Sequence, residues 1–210
     1  MNWRLWRYLK RTRRYEPVLP PRNARHRRPG RRAGRQAAGG CMNRPAKLGK
    51  EDFIARFGGV FEHSPWIAER AFDQKLPADC DHAAGLHGAL CGVFRTASQA
   101  ERLGVLRAHP DLAGRLALAG RLTGDSTMEQ ASAGLDCLTG EEFARFQELN
   151  EAYRRKFGFP FIMAARGRSK HEILTAFQER VENDTETEFE AACGEVERIA
   201  LLRLADLVPE

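Results

Sequence analysis

Between Ser98 and Glu188 the chain repeats one short pattern five times: a serine or threonine followed three residues later by a glutamate. The pairs are Ser98/Glu101, Ser126/Glu129, Thr139/Glu142, Ser169/Glu172 and Thr185/Glu188. Such a pair can satisfy two orphan backbone donors at a helix start, the hydroxyl accepting from the third residue's N–H and the carboxylate reaching back. Each is followed by apolar residues at helical spacing. Phe143, Phe146, Asn150, Tyr153 and Phe157 form one stripe, with Gly158 placed to end it; Ile173, Leu174, Phe177 and Val181 form the next. Phe189, Ala192, Val196, Ile199, Ala200 and Leu207 form the last. Upstream, Phe53, Ile54, Phe57, Val60 and Phe61 mark one helix. Ser64-Pro65 opens another through Trp66, Ile67 and Phe72, and Leu86, Leu90, Val93 and Phe94 mark a third. No run alternates convincingly. The expectation is an all-α domain, one compact body of about seven to nine helices.

Charge divides the chain in two. Residues 1–41 hold twelve Arg and one Lys against Glu16 alone, or +12; the remaining 21 basic and 27 acidic residues give −6. A basic arm therefore precedes a mildly acidic domain, 42–210, large enough to bury a core. The arm reads as disordered, and three roles compete for it. It can bind nucleic acid or an acidic partner through its arginines with Trp3, Trp6 and Tyr8 stacking. It can be an organellar targeting segment, or an extension without a role, since Met42 would make a natural start. No apolar segment follows its charges, so it is not a secretory signal, and no run is long enough to span a membrane.

Five cysteines, Cys41, Cys80, Cys91, Cys137 and Cys193, are scattered and never spaced C-x-x-C. That argues for a reducing compartment and against a disulfide framework. Cys80, His82 and His87 cluster, but at no standard metal spacing, and no metal site is expected.

Chemistry gathers between residues 109 and 130. His109 precedes Pro110, which excludes it from α backbone and suits the start of a following helix, so His109 is expected at a helix entrance. There a helix N-terminus lowers an imidazole's pKa and a carboxylate raises it. Glu129 and Gln130 follow Ser126 on the first turn of another helix. Arg203 lies seven residues after Val196, on the apolar face of the last helix, where it needs a carboxylate partner, an anionic ligand or a path to solvent. Arg180 sits at its own stripe's edge. Pro160 breaks the pattern before Phe161–Ala165, a short apolar run that is either a buried strand-like connector or a turn whose amides line a pocket. Each residue has a bland alternative: mutual capping for Ser126 and Glu129, solvation for Gln130, a structural ion pair for Arg203.

These residues carry a resemblance. H-P-D-L-A at 109–113, S-x-x-E-Q-x-S-A-G-L at 126–135, L-N-x-x-Y at 149–153, F-G-F-P-F-I at 157–162, E-R-I-A-L-L-R-L at 197–204 and F-E-H-S-P-W-I-A at 61–68 are similar to the OHCU decarboxylases, the 2-oxo-4-hydroxy-4-carboxy-5-ureidoimidazoline decarboxylases of urate catabolism. The resemblance covers residues 50–208 and leaves the arm outside. It implies an all-helical fold and a cofactor-free loss of CO2 giving (S)-allantoin. It places catalysis on His109 with Glu129 as partner carboxylate, and substrate contacts on Pro110, Ser126, Gln130 and Phe161, Ile162, Met163, Ala164 and Ala165. Arg203 becomes the clamp for the leaving carboxylate, with Arg180 the substitute. His109 is expected as a general acid kept charged by Glu129, or as a base toward the substrate hydroxyl. A homodimer is implied; the C-terminal L-V-P-E carries no peroxisomal tripeptide, so the cytoplasm is expected. The rival function is a non-enzymatic helical module that binds nucleic acid through its arm.

Overall fold

The structure, a computed structural model, describes residues 44–113 and 124–208. The arm, its boundary at residue 41 and the segment after the H-P-D-L-A motif lie outside the described residues. Among those described there is no strand. Within the described residues a 3-10 turn, Pro45–Lys47, leads into eight α-helices: α1 Lys50–Phe57, α2 Trp66–Asp73, α3 Ala83–Thr96, α4 Gln99–Ala108, α5 Gly124–Ser132, α6 Gly140–Phe157, α7 Lys170–Arg180 and α8 Thr185–Leu207.

Helix α8 organises the bundle, packing against α3, α4 and α6, while α1, α2 and α3 pack in succession and α7 lies on α6. Its 23 residues span about 34 Å at the helical rise. Two aromatic groups fill the interior. Phe53 stacks obliquely on Phe57 and Phe72 at one end. At the other, Tyr153 meets Phe157, Phe159, Phe161 and Phe177 edge-on or tilted. Of the α6 stripe read from the sequence, Phe146, Asn150, Tyr153 and Phe157 are buried and Phe143 is half-buried, and Gly158, at φ 77°, ends the helix in the left-handed region that favours glycine.

Three of the five repeats are capping boxes with both reciprocal bonds present, at Ser98, Thr139 and Ser169. The other two are not. Helix α5 is described from Gly124 onward with Ser126 already inside it, and α8 is capped by Asp184, whose side chain accepts from Thr187 N at 2.8 Å. In both exceptions the glutamate is held by a buried arginine: Glu129 by Arg203 and Glu188 by Arg180. A carboxylate that neutralises a buried guanidinium cannot also fold back over its own helix end. Ser64 is displaced as well: Pro65 occupies the position before α2, and the Ser64 hydroxyl donates to Glu62 O instead.

Candidate active site

His109 closes a helix; the sequence reading had it opening one. It is the C-cap of α4, its N–H donating to Leu106 O and its Nδ1 lying 2.9 Å from Val105 O. A carbonyl only accepts, so Nδ1 carries the proton and Nε2 is left as the ring's acceptor. The α4 dipole at this end favours the charged form. Burial nevertheless dominates: with the ring 6% exposed, desolvation lowers its pKa to about 4, against the Val105 bond and the field of Glu62, which raise it, and with Arg203 and His63 lowering it further. Burial thus favours the neutral imidazole, against the sequence expectation of a charged one.

The turn that follows is held by amides. Gln130 Oε1 accepts from Ala113 N at 3.0 Å and its Nε2 donates to Asp111 O. Gln147 donates to Ala113 O and Asn150 to Leu112 O, at 2.9 and 3.0 Å. Ala113 needs this support, because its φ of 51° places a side-chain-bearing residue in the left-handed region. Gln130 thus ties α5 to the segment carrying His109.

Arg203 projects from the apolar face of α8 between two carboxylates. Its Nε and Nη2 make a fork on Glu129 at 3.0 and 3.1 Å, and Nη1 lies 2.8 Å from Glu62 Oε2. Nη1 also approaches Gly59 O and Val60 O, and Nη2 approaches the Ser126 hydroxyl, each at 3.4 Å. Ser126 in turn donates to Glu62, 3.2 Å from both oxygens. Among the described residues one guanidinium thus lies between two carboxylates. Burial lowers the arginine's pKa, but the bonds and fields of Glu129 and Glu62 outweigh that and raise it overall. Arg180 is engaged elsewhere, on buried Glu188 and on Ile162 O.

A cavity enclosing about 350 Å³, part of it open to solvent, joins these pieces. His109, Pro110, Ser126, Glu129, Gln130, Phe161, Ile162, Met163, Ala165 and Arg203 line it; of the catalytic and substrate-contact residues expected from sequence, Ala164 is absent from its walls, as is the substitute clamp Arg180. Leu112 and Ile199 complete the apolar side. Glu62, 2% exposed, was given no role by the sequence reading. Its signal was there, an acid directly after the apolar pair Val60–Phe61 and ahead of Ser64-Pro65, but spacing alone gave it no partner. Among the described residues no group of three or more His, Cys, Asp or Glu is arranged to hold a metal ion.

Comparison with known proteins gives a consistent picture. The family model described as OHCU decarboxylase matches residues 46–205. A 2-oxo-4-hydroxy-4-carboxy-5-ureidoimidazoline decarboxylase of Haloferax volcanii is 42% identical over 160 residues, 76% of this chain and 91% of the relative. One from Mus musculus is 36% identical, over 75% of this chain and 86% of its own length. Among solved structures, a crystal structure of (S)-allantoin synthase matches with TM-score 0.63 and 32% identity, covering 78% of this chain and 52% of that one. A crystal structure of OHCU decarboxylase in the presence of (S)-allantoin shares the fold, with TM-score 0.56 at 22% identity.

Proposed function

The chain belongs to the OHCU decarboxylase family, and from that premise we propose that it converts 2-oxo-4-hydroxy-4-carboxy-5-ureidoimidazoline into (S)-allantoin and CO2, a carboxy-lyase step of urate breakdown. The observation that carries the reading is the convergence on one cavity of a buried imidazole held at Nδ1 by Val105 O, the Glu129–Arg203 fork and the apolar connector 161–165.

The names of substrate and product fix what must move. The substrate has a hydroxyl and a carboxylate on one ring carbon, next to a carbon in an imine. The product has a carbonyl in place of the first and a hydrogen on the second. When CO2 leaves, its bonding electrons flow into the ring's C=N, so the substrate itself is the electron sink, and that nitrogen takes a proton from solvent. What remains is an enol. Its O–H proton must leave and one proton must arrive on one face of the adjacent carbon. Neutral His109 can do both, accepting the hydroxyl proton at Nε2 and returning it to carbon. One base working from one wall also accounts for a single enantiomer. General base–acid transfer of this kind contributes about 10²–10⁴-fold.

The carboxylate clamp takes a specific form. Arg203's fork is closed on Glu129, so a substrate carboxylate shares the guanidinium only by drawing one oxygen of Glu129 aside. The released oxygen then faces the ring's N–H groups, which need an acceptor. Gln130, Ser126, Pro110 and the backbone of 161–165 complete the binding wall in this reading. The clamp grips the leaving group weakly because two carboxylates already share the arginine's charge, and weak ground-state binding is what lets CO2 depart.

The same reading includes a homodimer, supported by the family resemblance, and a cytoplasmic location, supported by unpaired thiols at Cys80, Cys91, Cys137 and Cys193. Among the described residues no helix is long and apolar enough to cross a membrane. The deciding experiment supplies freshly generated substrate and follows optical activity. Rotation of the (S) enantiomer should rise well above the spontaneous racemic background; a rate equal to background would end the proposal.

A further inference from the structure

The connector between α6 and α7 is gripped on one edge only. Phe161 to Ala164 makes no helical or turn bond within itself, and its polar groups alternate in partner. Ile162 O accepts from Arg180 Nη1 at 2.8 Å, and Ala164 N donates to Glu195 Oε2 at 2.9 Å. Both belong to even-numbered residues, and in extended chain alternate residues turn their N–H and C=O to opposite edges. Met163 lies between these two held residues, and the grip takes neither of its polar groups. Met163 is 5% exposed and on the cavity wall, and among the described residues no hydrogen bond is found to its N–H or C=O. A buried backbone donor without an acceptor is rare and asks for one.

The grip is built with care. Arg180 donates to Glu188, which is fully buried and also held by Tyr153 and Asn183. The Arg180 guanidinium lies 4.6 Å from the centre of the Phe161 ring, and that ring stacks on Phe177 at 4.0 Å with 10° between planes. Phe161 is therefore clamped between a cation and an aromatic face, and the next residue's carbonyl is tied to the same cation. Buried ion pairs are replaceable by apolar side chains with little loss of stability. An apolar replacement could not, however, hold Ile162 O or Ala164 N–H.

We propose that Arg180 and Glu195 are positioning residues for substrate binding, fixing the register of 161–165 so that the Met163 N–H and C=O face the cavity as a paired donor and acceptor for the –NH–CO– edge of a ureide. This rests on the decarboxylase reading above. Neither residue touches substrate. An amide or urea edge offers one acceptor beside one donor, the complement of a single residue's backbone pair. A carboxylate or a phosphate offers acceptors only and leaves the Met163 carbonyl facing a like charge. The connector therefore selects the ureido-ring part of the substrate, while the Arg203 cluster deals with its charge.

The test uses the full chain, freshly generated substrate and (S)-allantoin as a binding probe. Adding (S)-allantoin should slow hydrogen exchange at the Met163 amide of the wild-type chain. Glu195→Leu should raise KM about tenfold or more, the loss of one well-made hydrogen-bonded contact, with kcat within about threefold. Glu195→Gln, which keeps an acceptor for Ala164 N–H, should restore KM to within about threefold. A purely structural role would lower the fraction of folded enzyme without moving KM. If wild-type enzyme turns over substrate but Met163 exchange is unmoved by (S)-allantoin, or Glu195→Leu keeps its KM, the positioning role is wrong and the decarboxylase reading stands. If wild-type enzyme gives no turnover, both fall. Should Glu195→Leu fail to fold, the exchange measurement on the wild-type chain decides alone.

Discussion

The charge on His109 separates the two roles that the sequence left open, and it can be read from pH dependence. In the unfolded chain its imidazole titrates near the ordinary 6.5, and in the folded chain at about 4, because burial disfavours the cation. The folded value is the lower one, so this group's contribution to stability is complete above about 6.5 and is lost as pH falls toward 4. Between pH 7 and pH 5 the loss amounts to about 2 kcal/mol. Urea unfolding at these two pH values should show it in wild type, and His109→Asn should flatten the slope whatever its absolute stability. The kinetic counterpart is sharper. The profile of kcat/KM reports the free enzyme's ionisations. A neutral base predicts a flat profile from about pH 8 to 5 and a fall only near the low folded pKa. A charged general acid predicts activity rising as pH drops through 7. An acid limb near 6.5, or equal unfolding slopes in wild type and His109→Asn, would refute the buried-neutral assignment and the mechanism built on it.

Three further outcomes follow from the cluster and the helix ends. Glu62→Gln removes one of the two carboxylates on Arg203 while Glu129 remains; stability should fall by about 1–3 kcal/mol in urea titration, and the acid limb of kcat/KM should move lower because a field that raises His109 is gone. Glu129→Gln keeps the side chain's shape but leaves Arg203 with a weaker partner; kcat should fall about 10²-fold, and an unchanged kcat would leave Glu129 only the task of holding Arg203. Thr139→Ala should cost about 1 kcal/mol, whereas Thr185→Ala, at a position where Asp184 does the capping, should cost a few tenths at most by thermal unfolding.

The fold was legible because helical periodicity and caps are local. Three boxes of five lie where the pattern put them, and Gly158 stops α6 for the reason its residue type suggests. The candidate site was legible for a different reason: its residues come in short ordered motifs, so a resemblance could place them without geometry. What neither route supplied was partnership. Glu62 reaches Arg203 from 141 positions away, and Glu195 finds Ala164 N–H across 31. Spacing along the chain says nothing about such pairs, because they are set by how α8 lies against the turn before α2 and against the connector. His109 was misplaced by a local rule correctly applied. Proline after it does exclude α backbone, but a helix can end at that boundary as readily as begin, and α4 ends there.

The two failed capping boxes show why the ambiguity was not accidental. Serine or threonine three residues before glutamate is neutral about which way the carboxylate turns. At an exposed helix start nothing competes, and it turns back to the cap. At α5 and α8 a buried arginine lies within reach, and a charge-assisted pair in a dry site outweighs a cap worth about 1 kcal/mol. The pattern therefore reports a helix start in every case, and a polar cluster wherever an arginine appears on the apolar face of a neighbouring helix. Arg203 is such an arginine, Arg180 lies at the edge of its own stripe, and each claims the glutamate of a failed box. The rule this suggests is that an inward arginine together with a surplus capping glutamate predicts an ion pair within the core. Here one such pair lines the cavity and the other braces the connector that forms its opposite wall.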